Sequence, residues 1–298
     1  MGSPKYPVML AKKYEEKRIV AWPVRTEVKL DGVRCLMTAY PDLRTETMSR
    51  TGKPFNSVEA IEFDLATVFA QLRDKYPSGI VLDGELTCGS TFKETVGAIK
   101  RKSVQAEGAV LNIFDILSVD EHKAGVSNAQ YLERRTHMNE FMDRAAHCSS
   151  FNLNDAREAY SHEQILDHYQ EIFDNGGEGI IVKNPASNWE AKRSWNWMKI
   201  KGENTEDLIV IGREAGLADT KYADCLGALV CERRTESGEL IEVRVGSGLS
   251  DAERLKFWKA RLGDEDYITG RTIEVSFHEV TPDGSLRHPV FKSVRIDK

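Results

Sequence analysis

Alternating hydrophobic and polar residues in the first part of the chain predict β-strands separated by short turns. The segments RTEVKL (25–30), GVRCLMTAY (32–40) and LRTETMSR (43–50) are separated by Asp-Gly and Pro-Asp pairs, which favour turns. GIVLDGELT (79–87) and AVLNIFDILSV (109–119) are rich in β-branched and aromatic residues, as buried strands are. GGEGIIVKNP (176–185) predicts one more strand near the end of this region.

Segments whose apolar residues recur with a helical period lie between these strands. The chain is predicted to be helical over residues 57–75, where apolar residues recur at Val58, Ile61, Leu65, Val68, Phe69 and Leu72. Residues 129–145 and 161–175 are also predicted helices, and Ser161 with Gln164 predicts a capping box at the start of the latter. Mixed strands and helices predict an α+β fold.

The pattern changes near residues 202–206, where Gly202, Glu203 and Asn204 predict a polar link. Beyond it, strand-like runs dominate, and a single helix is predicted over residues 250–262 with Ser250 as its N-cap. Several strands and one helix in about a hundred residues are typical of a small Greek-key barrel such as an OB-fold. We therefore expect two domains, residues 1–202 and residues 203–298.

Composition limits the cellular context. With 41% hydrophobic and 30% charged residues, the chain resembles a soluble globular protein. No apolar run approaches the roughly 20 residues of a membrane span, and the start MGSPKYPVML lacks the apolar core of a secretory signal, so we expect a cytoplasmic protein that binds no membrane. The five cysteines contain no C-x-x-C pair and indicate free thiols, and the histidines form no close ligand pair.

The net charge of −6 disfavours a nonspecific nucleic-acid coat protein but is compatible with an enzyme that has a local basic groove. The pattern K-x-D-G-x-R at Lys29–Arg34 has two interpretations. It is either a charged surface hairpin around an Asp-Gly turn, or the setting of a nucleophilic lysine. Further motifs follow in order: SRTG (49–52), DGEL (83–86), FDIL (114–117), EGIIVK (178–183), WMKIK (197–201) and RIDK (295–298).

Together these motifs would supply a site for a nucleoside triphosphate and a metal ion. Its cations would be Lys29, Arg34, Lys183, Lys199 and Lys201, and its carboxylates Asp31, Glu85 and Glu178. Phe114 is either a core residue or a platform for a planar base. A lysine crowded by other cations has its ammonium form disfavoured and becomes a better nucleophile. Neither a P-loop nor a Rossmann fingerprint is present.

The ordered motifs resemble those of covalent nucleotidyltransferases, and most closely those of ATP-dependent DNA ligases. The resemblance runs from YPVMLA (6–11) to RIDK, and KRSWNWMKIK (192–201) and VGSGLSDAER (245–254) favour ligases over their relatives. It implies a nucleotidyltransferase (adenylylation) domain of antiparallel sheets with flanking helices, followed by a small OB-fold β-barrel. It also implies that nicks between a 5′-phosphate and a 3′-hydroxyl in duplex DNA are sealed through lysyl-AMP and DNA-adenylate.

The resemblance assigns a role to each matching residue. Lys29 would carry the AMP, Glu27 would recognise the adenine amino group, and Phe114 would stack on the base. Arg34 and Glu85 would bind the ribose and a nearby phosphate. Glu85 and Glu178 would bind the metal, and Lys183, Lys199 and Lys201 would contact the AMP phosphate. Arg50 would contact the 5′-phosphate of the nick. Arg295, Asp297 and Lys298 would orient the pyrophosphate.

The implied substrates are ATP with Mg²⁺ or Mn²⁺ and nicked duplex DNA, bound by a monomer. Only 25 residues precede the segment TEVKLDGVRC, so we expect a small viral or accessory type of ligase without a separate amino-terminal DNA-binding domain. Lys100, Arg101 and Lys102 would then contact DNA, or form only a solvated charge run. The alternatives are an mRNA-capping guanylyltransferase, an RNA ligase, or a non-catalytic nucleic-acid-binding module.

Overall fold

The computed structural model describes residues 6–101, 103–202, 204–218, 220–235, 237–259, 268–277, 280–281 and 283–295. Residues Lys102, Asp297 and Lys298, for which the sequence predicts functional roles, lie outside these ranges. The chain divides into two compact units, Met1–Lys201 and Gly202–Lys298, which we call unit 1 and unit 2.

Unit 1 contains two five-stranded sheets and a two-stranded ribbon. Its strands are β1 (Leu10–Lys13), β2 (Val24–Val28), β3 (Val33–Ala39), β4 (Thr45–Ser49), β5 (Ile80–Thr87), β6 (Val110–Ser118), β7 (Val126–Ser127), β8 (Phe151–Leu153), β9 (Ala156–Ala159), β10 (Gly179–Lys183), β11 (Trp189–Glu190) and β12 (Arg193–Lys201). The first sheet has the order β1-β12-β10-β2-β9, the second has the order β4-β3-β5-β6-β8, and β7 pairs with β11.

Five helices accompany these sheets: α1 (Glu59–Ala70), α2 (Phe92–Ile99), α3 (Val119–Ala124), α4 (Tyr131–Arg144) and α5 (His162–Asp174), with a 3₁₀ turn at Glu16–Arg18. The predicted apolar stripe of α1 is confirmed, because all six of its residues are buried. Together with residues of β3, β5, β6 and α4, that stripe forms the largest apolar cluster of the described chain.

The start of α5 matches only half of the predicted capping box. The Ser161 hydroxyl accepts a hydrogen bond from the Gln164 N–H at 3.3 Å, as expected. The Gln164 side chain, however, accepts from the N–H of Tyr160 at 2.8 Å, one residue before the N-cap. In α2, a helix that was not predicted from the sequence, Thr91 and Glu94 form the complete box. The T-x-x-E signal was present in the sequence, but the helix it starts is only eight residues long.

Unit 2 contains β13 (Asn204–Ala215), β14 (Leu226–Arg234), β15 (Leu240–Val245), α6 (Asp251–Lys259), β16 (Thr272–Phe277) and β17 (Val290–Val294). The strands form one antiparallel sheet in the order β15-β14-β13-β16-β17. A single bridge joins Ser247, two residues after β15, to Val290 of β17, so the described residues do not close a barrel with a continuous ladder. The backbone leaves β15 at Gly246, whose carbonyl is bound by the buried Arg254 guanidinium.

Ser250 caps α6 as predicted, because its hydroxyl accepts from the Glu253 N–H at 3.3 Å while the Glu253 carboxylate accepts from the Ser250 N–H at 2.8 Å. None of the helices in the described ranges is both long enough and apolar enough to cross a membrane.

A buried ion pair joins α4 to β6. Arg134 and Asp115 are 1% and 0% exposed, and their bidentate contact has N–O distances of 2.6 and 3.0 Å. Arg134 also donates to the carbonyl of Ala129 at 2.6 Å. Asp115 directly follows Phe114, so this pair fixes the strand segment that carries the predicted base platform.

We expect Arg134→Met to lower the free energy of unfolding of unit 1 by about 3–5 kcal/mol, because the substitution leaves the Asp115 carboxylate buried without a cation. Urea denaturation followed by circular dichroism measures this change. Arg157→Met is the matched control, since the Arg157–Glu171 pair is exposed and contributes little. Equal destabilisation by the two substitutions would contradict the importance of the buried pair.

Candidate active site

Lys29 directly follows β2, and its backbone extends the pairing of that strand with β10. The Lys29 N–H donates to the carbonyl of Gly179 at 2.8 Å. The Lys29 ammonium group forms an ion pair with Glu178, the residue before β10. Lys29 keeps 23% of its side chain exposed. The amine is therefore held at the end of a strand but remains accessible from solvent.

The path of the chain beside Lys29 requires glycine at position 179. Gly179 has a φ of +147°, and a Cβ atom there would lie 2.1 Å from the carbonyl oxygen of Ile200. No other residue fits this close approach of β10 to β12 without displacing the backbone. Glu178 directly precedes Gly179, so this close approach also places the Glu178 carboxylate beside Lys29.

Lys29 lines a cleft of about 630 Å³ in unit 1, a size typical of small-molecule sites. All six predicted motifs of this unit contribute to its walls. The predicted site residues that line it are Glu27, Lys29, Arg34, Arg50, Glu85, Phe114, Lys183, Lys199 and Lys100. Arg193, from the basic segment before the last motif, lines it as well. Cations outnumber acids in this lining, which favours a polyanionic ligand.

Glu85 is a carboxylate of the cleft lining whose pKa is strongly shifted. Burial raises the pKa of Glu85 from 4.5 to about 7. The charges of Lys29 and Arg34 oppose this shift, whereas those of Asp83 and Glu178 add to it. Glu85 is therefore close enough to Lys29 and Glu178 to share their electrostatic environment, as a group that acts with them must be.

One end of the cleft is aromatic. Phe114 is half-buried and meets Trp197 edge-on, with ring centroids 5.9 Å apart and an interplanar angle of 82°. The Arg34 guanidinium lies 5.2 Å from the Phe114 centroid. Arg34 is fixed there by a bidentate contact with Asp83, at 2.9 and 2.6 Å, and by the carbonyl of Met9 at 2.8 Å. Phe114 therefore combines core packing with a surface that faces the cleft.

Glu27 is the centre of a buried polar cluster at this end. It is 1% exposed, and its carboxylate accepts hydrogen bonds from the Tyr131 hydroxyl, from the Asn154 amide at 3.3 Å and from Lys183 at 2.8 Å. We call these four residues the Glu27 cluster. Tyr131 and Asn154 were not predicted from the sequence, because each lies more than a hundred positions from Glu27.

Lys183 belongs to the same end of the cleft. The side chain is 1% exposed, and its ammonium group donates to the carbonyl of Phe114 at 2.8 Å and lies 4.4 Å from the centroid of Trp197. Burial lowers the pKa of Lys183, while the charges of Glu27 and Asp115 oppose that shift. These contacts group Lys183 with the aromatic residues, whereas the resemblance predicted contact with a phosphate.

Lys199 and Lys201 continue β12 past Trp197. Burial lowers the pKa of Lys199, and the positive charges of Lys201 and Lys29 lower it further. Lys201 is the register partner of Gly179, the first residue of β10. Lys199 and Lys201, two of the cations that the sequence predicted around Lys29, therefore lie near it.

The remaining predicted residues are divided between unit 1 and unit 2. Arg50 and Lys100 are exposed and line the cleft, and Arg101 is exposed immediately beyond Lys100. Arg295 belongs to unit 2, where it pairs with Asp207 at 2.9 Å and with Glu274 at 3.5 Å. The structure also adds α2 to the cleft, through Phe92 and Val96, which precede Lys100 at four-residue intervals. Of Phe92, Val96 and Lys100, only Lys100 was predicted as a site residue.

Glu85 and Glu178 are the two carboxylates for which the sequence predicts metal binding. The described residues contain no cluster of three or more His, Cys, Asp and Glu side chains arranged to hold a metal. Mg²⁺ is commonly held by one or two carboxylates together with substrate phosphates. Glu178 contributes to the raised pKa of Glu85, so the two acids are close enough to repel each other, and a divalent cation would relieve that repulsion.

Two family models match the chain. The model described as ATP dependent DNA ligase domain matches residues 8–201, and the model described as DNA ligase OB-like domain matches residues 219–295. The first match alone covers more than half of the chain and contains every residue of the cleft.

Individual relatives agree with these matches. The DNA ligase of Enterobacteria phage T4 is 25% identical over 327 residues, covering 91% of this chain and 63% of the phage protein. The DNA ligase of Escherichia phage T7 is 25% identical over 321 residues, covering 90% of this chain and 89% of that protein. The solved structure Pmar-Lig_PreS3 has a TM-score of 0.86 at 26% identity, covering 97% of this chain and 68% of its own.

The match spans less than two thirds of the length of the ligases from phages T4, T6 and T3. The family model nevertheless covers the whole cleft, including the lysine and the motifs around it. The chain belongs to the ATP-dependent DNA ligase family.

Proposed function

We propose that this chain uses ATP to form a covalent lysyl-AMP on Lys29 and transfers the AMP to the 5′-phosphate of a nick, so that the adjacent 3′-hydroxyl can seal duplex DNA. The observation that carries this proposal is the meeting of six separate motifs in one cationic cleft around a partly exposed lysine. Membership of the ATP-dependent DNA ligase family supports ATP as the nucleotide.

The aromatic end of the cleft is suited to the adenine base. Phe114 offers a flat face there, and Trp197 packs against its edge. The Glu27 cluster supplies polar groups next to these rings, with Lys183 in contact with both the aromatic residues and Glu27. Lys183 would therefore lie beside the base, whereas the resemblance predicts that it contacts the AMP phosphate.

The cations around Lys29 are suited to the phosphates. Lys199 and Arg193 line the cleft together with Lys29, and the charges of Lys29 and Arg193 both act on Lys199. Lys100 adds a further cation to the lining. Lys29 would form a bond from Nζ to the α-phosphorus as the bond to the pyrophosphate oxygen breaks. Lys29 starts as an ammonium group, so one Nζ proton must leave before the attack, and the Glu178 carboxylate, already paired with Lys29, is placed to accept it. A second Nζ proton passes to solvent as the phosphoramidate forms. The surrounding cations would stabilise the departing pyrophosphate.

Glu85 and Glu178 would hold Mg²⁺ or Mn²⁺, which would supply neutralising charge to the phosphates. In the later steps, the 5′-phosphate of the nick attacks the phosphorus of lysyl-AMP and releases Lys29, and the 3′-hydroxyl then displaces AMP. Arg50 is exposed at the mouth of the cleft, where it could bind the incoming 5′-phosphate.

Lys29→Ala should abolish both lysyl-AMP formation and nick sealing, because the substitution removes the amine that would form the phosphoramidate. The measurement combines labelled ATP and magnesium with the protein, followed by denaturing electrophoresis, and a parallel assay on a nicked duplex. Lys75→Ala is the matched control, since Lys75 pairs with Glu140 away from the cleft lining and should retain both activities.

Several results would contradict this proposal. A label that persists in Lys29→Ala would remove the nucleophile assignment. Labelling by GTP alone would indicate a guanylyltransferase, and labelling by neither nucleotide would favour a non-catalytic binding module. A protein that forms lysyl-AMP but joins only nicked RNA would be an RNA ligase.

Metal affinity should depend on pH through Glu85. With a pKa of about 7, this carboxyl group is mostly protonated at pH 6 and mostly ionised at pH 8, and only the ionised form is a good metal ligand. We expect the nucleotide-free protein to bind Mn²⁺ about tenfold more weakly at pH 6 than at pH 8. Electron paramagnetic resonance of free Mn²⁺ measures this affinity without a titrating nucleotide.

Glu85→Gln provides the control for this prediction. The amide does not titrate, so the variant should bind Mn²⁺ more weakly than the natural protein and with little change between pH 6 and pH 8. A pH dependence that is the same in both proteins would assign the titration to another group.

A further inference from the structure

We propose that Tyr131 and Asn154 are positioning residues of the adenylylation site, which act on the bound nucleotide through Glu27 and Lys183. This inference rests on the proposed function, because it names the residues that fix the base end of the ATP cleft. Neither residue lies in one of the motifs by which the sequence pointed to a ligase.

The first turn of α4 faces the base end. Tyr131, Arg134 and Arg135 are spaced three and four residues apart, which places them on one side of a helix. Each makes a different contact with the site. Tyr131 donates a hydrogen bond to Glu27 on β2. Arg134 forms its ion pair with Asp115 on β6. Arg135 donates to the carbonyl of Asn154 at 2.6 Å. One helical turn therefore holds three separate parts of the cleft wall.

The start of this turn is itself anchored to the segment after β10. The N–H groups of Tyr131 and Leu132 donate to the carbonyls of Ser187 and Pro185, at 2.9 and 3.2 Å. Lys183 ends β10 just before that segment. The helix that orients Glu27 is thus tied to the strand that carries Lys183.

Asn154 links the two sheets across the cleft. Its backbone N–H donates to the carbonyl of Ile113 at 2.9 Å, next to Phe114 in β6. Its side-chain amide donates to the carbonyl of Val28 at 2.9 Å and to Glu27 at 3.3 Å. Because Val28 immediately precedes Lys29, Asn154 fixes the strand that carries the nucleophile relative to Phe114, the base platform.

The Tyr131 hydroxyl controls where Lys183 points. Burial and the adjacent Glu27 carboxylate raise the pKa of Tyr131, so the hydroxyl stays protonated near neutral pH and acts as a donor. Glu27 shares its charge between this hydroxyl, Lys183 at 2.8 Å and the more distant Arg135 at 3.9 Å. Without the hydroxyl, Lys183 would be the stronger remaining partner of the carboxylate and would be drawn from the carbonyl of Phe114 towards it.

Tyr131→Phe tests this role with a minimal change. We expect the KM for ATP in lysyl-AMP formation to rise about tenfold, the effect of losing one hydrogen bond to a charged group, while the maximal rate stays within about twofold. A purely structural role would give a different result, because a smaller folded fraction lowers the maximal rate and leaves KM unchanged.

Tyr76→Phe is the matched control. The Tyr76 hydroxyl is also buried in unit 1, but it has no hydrogen-bond partner in the described part of the chain, so its removal should leave KM unchanged. Asn154→Ala should raise KM as Tyr131→Phe does, and it tests the same cluster if the tyrosine variant does not fold.

A double-mutant cycle with Glu27→Gln shows whether Tyr131 acts through Glu27. We expect Tyr131→Phe to change KM less than twofold in the Glu27→Gln background. The inference is overturned if Tyr131→Phe and Asn154→Ala leave KM unchanged, or if Tyr131→Phe has its full effect without Glu27. Absence of lysyl-AMP in the unmodified protein would instead overturn the proposed function itself.

Discussion

The antiparallel pairing of β2 with β10 is the constraint on which the site depends. It places Lys29, at the end of one strand, against Glu178, at the start of the other. The same two strands carry Glu27 and Lys183, which form a buried ion pair beside Phe114 and Trp197. One ladder thus fixes both the nucleophile and the base end, and Gly179 allows β12 to approach it closely enough to add its lysines.

Two largely buried arginines beside this ladder are stabilised by partners of opposite charge. Arg34 and Arg134 would be unfavourable in the interior alone, but their bidentate contacts with Asp83 and Asp115 satisfy the charges on both sides. Both acids belong to the strands that carry Glu85 and Phe114. The ion pairs therefore reduce the freedom of the strands that position the functional side chains, as preorganised sites require.

Local patterns predicted the parts of the site that lie in strands with strong periodicity. The α1 stripe and the strands around Lys29, Glu85 and Phe114 were all visible in the sequence. Contacts over long sequence separations were not, because Tyr131 and Asn154 meet Glu27 only after the sheets are assembled. The parallel partner of β12 was also missed, since β1 is a four-residue segment without clear alternation.

That parallel pairing between β1 and β12 has a consequence for the order of assembly. Leu10 pairs with Arg193, and residues of both strands line the cleft. A ribosome must therefore synthesise nearly all of unit 1 before the first strand finds its partner. Non-local pairings of this kind form slowly, because a long loop has to close first. The cleft should consequently be among the last parts of unit 1 to form, which delays nucleotide binding until the surrounding sheets are in place.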